Sequence, residues 1–331
     1  MYLCKTPETT SHHKTKFMRQ VLFFLCMFPL LAFAQYKLGS YFLEYKTAAP
    51  SGFTYENLRL YPIIAKDSFK LAFKDLGRFT TLKDALATNK IKITETGSSG
   101  VVNTLQVENT SNDTIILNCG EVIKGGKQDR VIESDMVLYP KSGKKKLPVF
   151  CVEQGRWSPD SRADGKSFTG YYNFSSAGLR KVVAKDKQQG AVWSKVSEIN
   201  SANQTVNSTD AYTRLEESKD YKAKTEKYVT YFNNKIHGLK DVVGVIAVTG
   251  SKVIAVDVFA TNDLFKKNFE GLIYSYTSEA IIHGKIVSIT QAQVDNYMNE
   301  LLDEKKHEEV IKKKGSKLDA GNKRLKISSF E

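Results

Sequence analysis

An α+β fold is predicted by three features of the sequence. Short strand-like runs fill the first half, amphipathic helices fill the second, and two β-branched runs late in the chain flank a glycine turn. Strands first and helices later distinguish this order from a doubly wound parallel sheet. No repeat of solenoid period is present.

Taken in order, Tyr41-Phe42-Leu43-Glu44-Tyr45 and Leu58-Arg59-Leu60-Tyr61-Pro62-Ile63-Ile64 carry the aromatic and β-branched bias of strands. A brief helix starts at Thr81, with Leu82, Ala85 and Leu86 at helical spacing. Ile91 to Thr94 alternates as a half-buried strand does. The Gly97-Ser98-Ser99-Gly100 break precedes strands at Val101–Val107 and Thr114–Leu117, joined by a polar turn from Asn109 to Asp113. Leu147 to Val152 is a further apolar strand. Helices follow at Gln188–Gln204 and Lys219–Lys235. Val242–Val248 and Val253–Phe259 then form a hairpin about Thr249-Gly250-Ser251. Leu264, Phe265, Phe269, Leu272, Ile273, Tyr276 and Ala280 fall on one helical stripe, and Val294, Tyr297, Met298, Leu301 and Leu302 mark a last amphipathic helix. Beyond it the pattern is lost, so residues 304–331 are expected to be a basic tail behind one α+β domain over 35–303.

The N-terminus predicts export. Met18-Arg19-Gln20 is a positive start, with Met18 an alternative initiator, and Val21 to Ala32 is an apolar run too short to span a bilayer. Ala32-Phe33-Ala34 offers small residues for cleavage before Gln35. Residues 1–34 are therefore expected to be a signal peptide, and the protein to be secreted or periplasmic. Its removal takes four basic residues and one acidic residue from the 49 and 36 of the full chain, leaving 45 and 35, a net charge of +10. That excess favours acidic glycan or anionic lipid surfaces as partners. No aromatic-rich RNA-binding signature accompanies it, which argues against nucleic acid. No Cys or His pair stands at zinc-ligand spacing, so no metal or cofactor is expected; neither a nucleophile elbow nor a phosphate loop occurs. Cys119 and Cys151 are the two cysteines left after cleavage. One disulfide between them and two free thiols are both compatible with the sequence.

Chemistry concentrates between Gly120 and Trp157. Glycines at 125, 126 and 155 let backbone approach a ligand closely. Lys127, Arg130 and Arg156 suit a phosphate or carboxylate, Gln128 and Gln154 suit hydroxyls, and Trp157 offers a stacking face. Glu121 and Glu153 are candidate general acids or bases, or partners that hold the arginines.

Glu121 with Gly125-Gly126-Lys127-Gln128-Asp129-Arg130, followed by Phe150-Cys151-Val152-Glu153-Gln154-Gly155-Arg156-Trp157, resembles the domain family named for its association with ADP-ribosylglycohydrolases and rhodanese-like phosphatases. Gln189-Gly190-Ala191-Val192-Trp193, Gly244–Val248 and Asp257-Val258-Phe259 fit the same pattern, so the likeness runs from about Asn57 to Ile282. Asp129 departs from the family, where Asn is more frequent, and Cys119 is peculiar to this chain. The resemblance implies metabolism of ADP-ribose, nucleotides or phosphorylated sugars by genomic association, and assigns no reaction.

Three functions follow as expectations: a domain binding a small anionic ligand, a hydrolase using Glu121 or Glu153, and a structural or envelope protein meeting acidic polymers. In the structural alternative, Glu121–Arg130 and Glu153–Arg156 ion pairs pin the loops.

Overall fold

The strand-favouring runs assemble into three sheets among the residues described by the computed structural model, which are 36–43, 50–97, 100–157 and 165–331. The expected export signal and its cleavage point lie outside these residues, as do Glu44 and Tyr45 of the first expected strand.

The first half contains β1 (Tyr41–Leu43), β2 (Thr54–Tyr55), β3 (Leu58–Ala65), α1 (Asp67–Ala72), β4 (Phe79–Thr81), α2 (Leu82–Ala87) and β5 (Ile91–Glu95). It continues with β6 (Thr104–Asn109), β7 (Thr114–Leu117), β8 (Glu121–Gly125), β9 (Arg130–Ile132), β10 (Met136–Leu138), β11 (Gly143–Cys151) and β12 (Phe168–Phe174). Then come α3 (Ala177–Lys185), α4 (Gln189–Ala202), α5 (Lys219–Ile236), β13 (Val242–Thr249), β14 (Lys252–Phe259) and α6 (Asn262–His283). The chain closes with α7 (Gln291–Leu301), α8 (His307–Lys314), β15 (Gly315–Ala320) and β16 (Lys323–Phe330). The α+β class read from the sequence is therefore the observed one.

The largest sheet runs β1-β3-β13-β14-β16-β15, with β2 on β3, and is antiparallel throughout. Its central hairpin is the one expected, with Gly250 supplying the left-handed residue (φ 52°) between β13 and β14. α6 is the long helix of the apolar stripe. Thr261 caps it by accepting a bond from the Leu264 N–H at 3.2 Å, and all seven stripe residues are buried. Each large apolar side chain so removed from water contributes roughly 1.5–3 kcal/mol.

A six-stranded antiparallel sheet, β12-β8-β9-β11-β6-β5, and a small sheet, β10-β7-β4, build the rest. Two apolar cores result, and the strand period of two assigns residues between them. Val122 of β8, Val131 of β9 and Phe150 of β11 face the larger core, while Ile123, Ile132 and Val149 face the smaller one with α2. β8, β9 and the end of β11 are thus packed on both faces, which fixes the loops they carry.

Residues 304–331 are not a tail. β16 lies between β14 and β15, and Leu325 and Ile327 are fully buried. The lysines obscured an alternation of apolar and polar residues. Lys326, within the expected basic tail, is completely buried against Asp135 at 2.9 Å.

Candidate functional site

β8 leaves its sheet at Gly125 and the chain returns as β9 at Arg130. The turn between them needs Gly125 (φ 137°) and Gly126 (φ 50°). At Gly126 a side chain has no room: an added Cβ would sit 2.4 Å from the Phe168 ring and 2.7 Å from Glu95 Oε1. Beyond β11, Glu153 bridges to Ala211, bringing the Glu153–Trp157 segment and the residue 209–213 stretch beside this turn.

Arg156 is the centre of a polar network. Its Nε donates to Glu153 Oε2 at 2.8 Å, Nη1 to the Gly126 carbonyl at 3.1 Å, and Nη2 to Asp129 Oδ1 at 3.4 Å. Glu153 Oε2 also accepts from the Asp129 N–H, and its Oε1 accepts from the Thr209 hydroxyl. Asp129 accepts from the Thr213 hydroxyl at 2.6 Å and from the Gly125 N–H at 3.1 Å. Burial nevertheless holds Asp129 above the usual carboxylate range, with the neighbouring Glu153 charge adding to the effect. Gln128 is equally committed: its Nε2 donates to the Glu153 carbonyl, and its Oε1 accepts from Arg130 at 3.2 Å and from the Cys151 thiol at 2.8 Å. Both carboxylates and the Gln128 amide therefore stabilise the turn itself.

Arg130 differs. It is wholly buried, and its Nη1 is bonded to the Gln128 carbonyl at 3.0 Å, but Nε and Nη2 have no hydrogen-bond partner among the described residues. Glu95 stands 3.6 Å from Nη2, beyond hydrogen-bond reach, and its own Oε2 is without a donor. Burial pulls the guanidinium below its usual pKa. Trp157 covers this group, with its ring centre 5.8 Å from Arg130 Cζ and 5.2 Å from Lys127 Nζ, while 45% of the residue stays exposed. Buried donors without hydrogen bonds, ion-paired to Glu95, and a half-exposed aromatic residue therefore occupy one place. Gln154 is exposed beside it and contributes its carbonyl to Gln128.

Glu121 lies elsewhere. It begins β8, four residues from the Gly125 end, and its carboxyl turns into the junction of the two cores. Oε2 accepts from the Asn118 N–H at 2.6 Å and Oε1 from the Tyr171 hydroxyl at 3.3 Å. Burial pushes its pKa up to about 7, with Lys326 and the Asn118 bond opposing. The expected pairing of Glu121 with Arg130 is thus not formed. A buried chain continues from Asn118 to Lys326 and on to Asp135; on β14, Asp257 holds Arg180 through two bonds at 2.6 and 3.0 Å. Gly120 permits this packing, since an added Cβ would meet Arg180 Cγ at 2.5 Å.

Cys119 and Cys151 are both free thiols, so the bridge between them is not made. Burial raises them to about 12 and about 11. Cys151 is held through its backbone instead, because Gln189 accepts from its N–H and donates to its carbonyl, both at 2.8 Å.

The structure thus gathers Lys127, Gln128, Arg130, Gln154, Arg156, Trp157 and Glu153, and leaves Glu121 out. Sequence reasoning missed Glu95, Thr209 and Thr213, which come from distant segments and carry no local signal. No metal-binding cluster of His, Cys, Asp and Glu occurs among the described residues, and no helix among them is long and apolar enough to cross a membrane. The family model described as "ARG and Rhodanese-Phosphatase-superfamily-associated Protein domain" matches residues 46–328, a span that reaches into β16. No curated protein and no solved structure matches the chain.

Proposed function

Since the chain belongs to the ARG and Rhodanese-Phosphatase-superfamily-associated Protein domain family, we propose that it is an exported domain which binds a small ligand combining a planar ring with an anionic group, as a nucleotide or ADP-ribose does. The observation that carries this reading is Arg130, buried with two unbonded nitrogens beneath the half-open face of Trp157. Buried donors left without partners are costly, and an anionic oxygen reaching them recovers that loss. Trp157 takes the ring, Lys127 adds a cation at its edge, and Glu95 Oε2 accepts from a hydroxyl. Acidic side chains match the basic ones here, Glu95, Asp129 and Glu153 against Lys127, Arg130 and Arg156. That balance favours a ligand of low charge over a polyanion. Export rests on the Met18–Ala34 segment and on the cleavage residues ahead of Gln35.

Thermal unfolding of the chain from Gln35 onward, with AMP, ADP-ribose and ribose 5-phosphate added in turn, tests the reading. A compound at a hundred times its dissociation constant adds about 2.7 kcal/mol of stability. Trp157→Ala, at an exposed position, is expected to weaken that ligand at least tenfold without changing the unliganded melting temperature. Undiminished binding by Trp157→Ala, or no shift with any of the three, rejects the site.

A further inference from the structure

Where α2, β12 and α6 meet, a cavity of about 270 Å³ opens at the junction of the two cores, and the site under Trp157 has no part in it. Glu121 and Glu270 both line it, with Tyr171, Asn173, Asn268 and Lys83. The two carboxyls have contrasting surroundings. Glu121 is 1% exposed, and burial keeps its proton on up to about neutral pH. Glu270 stands at the rim on α6, paired with Lys83 of α2 at 2.9 Å, with both side chains about half exposed. A buried acid and a solvated carboxylate on one cavity are the two groups that general acid–base hydrolysis needs. At roughly 30 Å³ per water, the space suits a sugar ring and a water together.

A second cavity of about 480 Å³ shares the wall Tyr172, Asn173 and Phe174. Tyr212, Tyr221 and Tyr274 line it, with Glu216 and Glu226. Aromatic faces beside amide and carboxylate groups suit a ligand that is apolar on its ring faces and hydroxylated around its edge, which describes a saccharide. Gly271 keeps α6 close to this wall, since an added Cβ would sit 2.7 Å from the Phe174 ring and 3.0 Å from Asn173 Oδ1.

We infer that this pair of cavities binds a saccharide and that Glu121 and Glu270 hydrolyse its glycosidic bond. The bond between the anomeric carbon and the leaving oxygen breaks as Glu121 gives that oxygen its proton. Water supplies the new bond to the anomeric carbon, and Glu270 takes the proton which the water loses. Exchange with solvent then returns a proton to Glu121 and removes one from Glu270, so that no other reactant is consumed.

Two leaving groups on one sugar test this. A panel of p-nitrophenyl pentosides and hexosides of both anomers identifies the sugar by nitrophenol release, and its methyl glycoside is then assayed by reducing-sugar release. Nitrophenolate departs without a proton, whereas methoxide does not. Glu121→Gln is therefore expected to cut hydrolysis of the methyl glycoside by about 10²–10⁴-fold and to slow the nitrophenyl glycoside less than tenfold. Glu270→Gln, at an exposed position, is expected to slow both by about 10²–10⁴-fold. No hydrolysis by the wild type overturns the inference. Equal effects of Glu121→Gln on the two leaving groups, or full activity of Glu270→Gln, overturn it as well.

Discussion

Arg156 shows how an individual residue's role depends on its partners. Its type and spacing announce an anion-binding arginine, and its contacts make it the clamp of the Gly126 turn. Removing it leaves Glu153 and Asp129, both nearly buried, facing each other without their shared cation. Arg156→Ala is therefore expected to lower stability by about 3 kcal/mol, seen as a lower urea midpoint with an unchanged slope. An unaltered midpoint contradicts the clamp. The sequence made the members of this group legible, because Lys, Gln, Asp, Arg and Glu crowd two short segments. It did not reveal their division of labour. Arg130 and Arg156 look alike on the page, yet one has three bonded nitrogens and the other two unbonded ones. The separation of Glu121 from the Arg156 group was hidden for a related reason: neighbours in a motif can stand at opposite ends of one strand.

Whether a segment was recognised depended on the pattern it carries. The β13–β14 hairpin was legible because two eight-residue β-branched runs flank a glycine turn, and α6 because its apolar residues recur at a period of 3.6 over many residues. β8 and β9 were not, although all their residues except Lys124 are buried. Buried on both faces, they show no alternation, and Lys124 and Arg130 interrupt the short apolar runs. α3 escaped notice because its buried face includes Arg180, and α8 because lysines fill its last turn. The glycines of the β8–β9 turn are a structural requirement that sequence suggests and geometry specifies. Gly126→Ala adds a Cβ within 2.6 Å of two Phe168 ring atoms at a φ of 50°. A loss of about 1–3 kcal/mol is expected from this overpacking. Gly77→Ala, where nothing lies within 4 Å of the new Cβ, is expected to stay within about 0.5 kcal/mol of the wild type. Urea titration of the pair checks the contrast, and equal midpoints would show that the turn relaxes at no cost.

At the scale of the whole molecule, the two cores are joined by buried charge as well as by apolar contact. Arg180 and Lys326 face Asp257 and Asp135, so these four balance, and Glu121 is the fifth group. Lys326 comes from the segment whose lysines suggested a tail, which is why this arrangement was hidden: sequence gives a lysine's charge and not its burial. With the four balanced, an ionised Glu121 leaves one unmatched negative charge in the interior, and its proton is retained up to about pH 7. The linkage has a definite sign. Between the ordinary glutamate value of 4.5 and about 7, the folded chain keeps a proton that the unfolded chain has lost, so stability falls as pH rises through this window. The total is about 3 kcal/mol at 1.36 kcal/mol per unit. Other groups act alongside. Arg180, outweighing the burial penalty, holds Asp257 at about 2, so its contribution is complete above 3.8 and is lost only in stronger acid. His307, lowered by burial, adds stability as pH rises toward 6.5 and partly masks the slope. Comparison with Glu121→Gln cancels these shared terms. Urea titrations at pH 4.5, 5.5, 6.5 and 7.5 are expected to show the variant gaining on the wild type by about 3 kcal/mol over the range, most of it below pH 7. A difference that stays constant with pH would mean that Glu121 is already ionised in the folded protein, and that its cavity offers no buried acid.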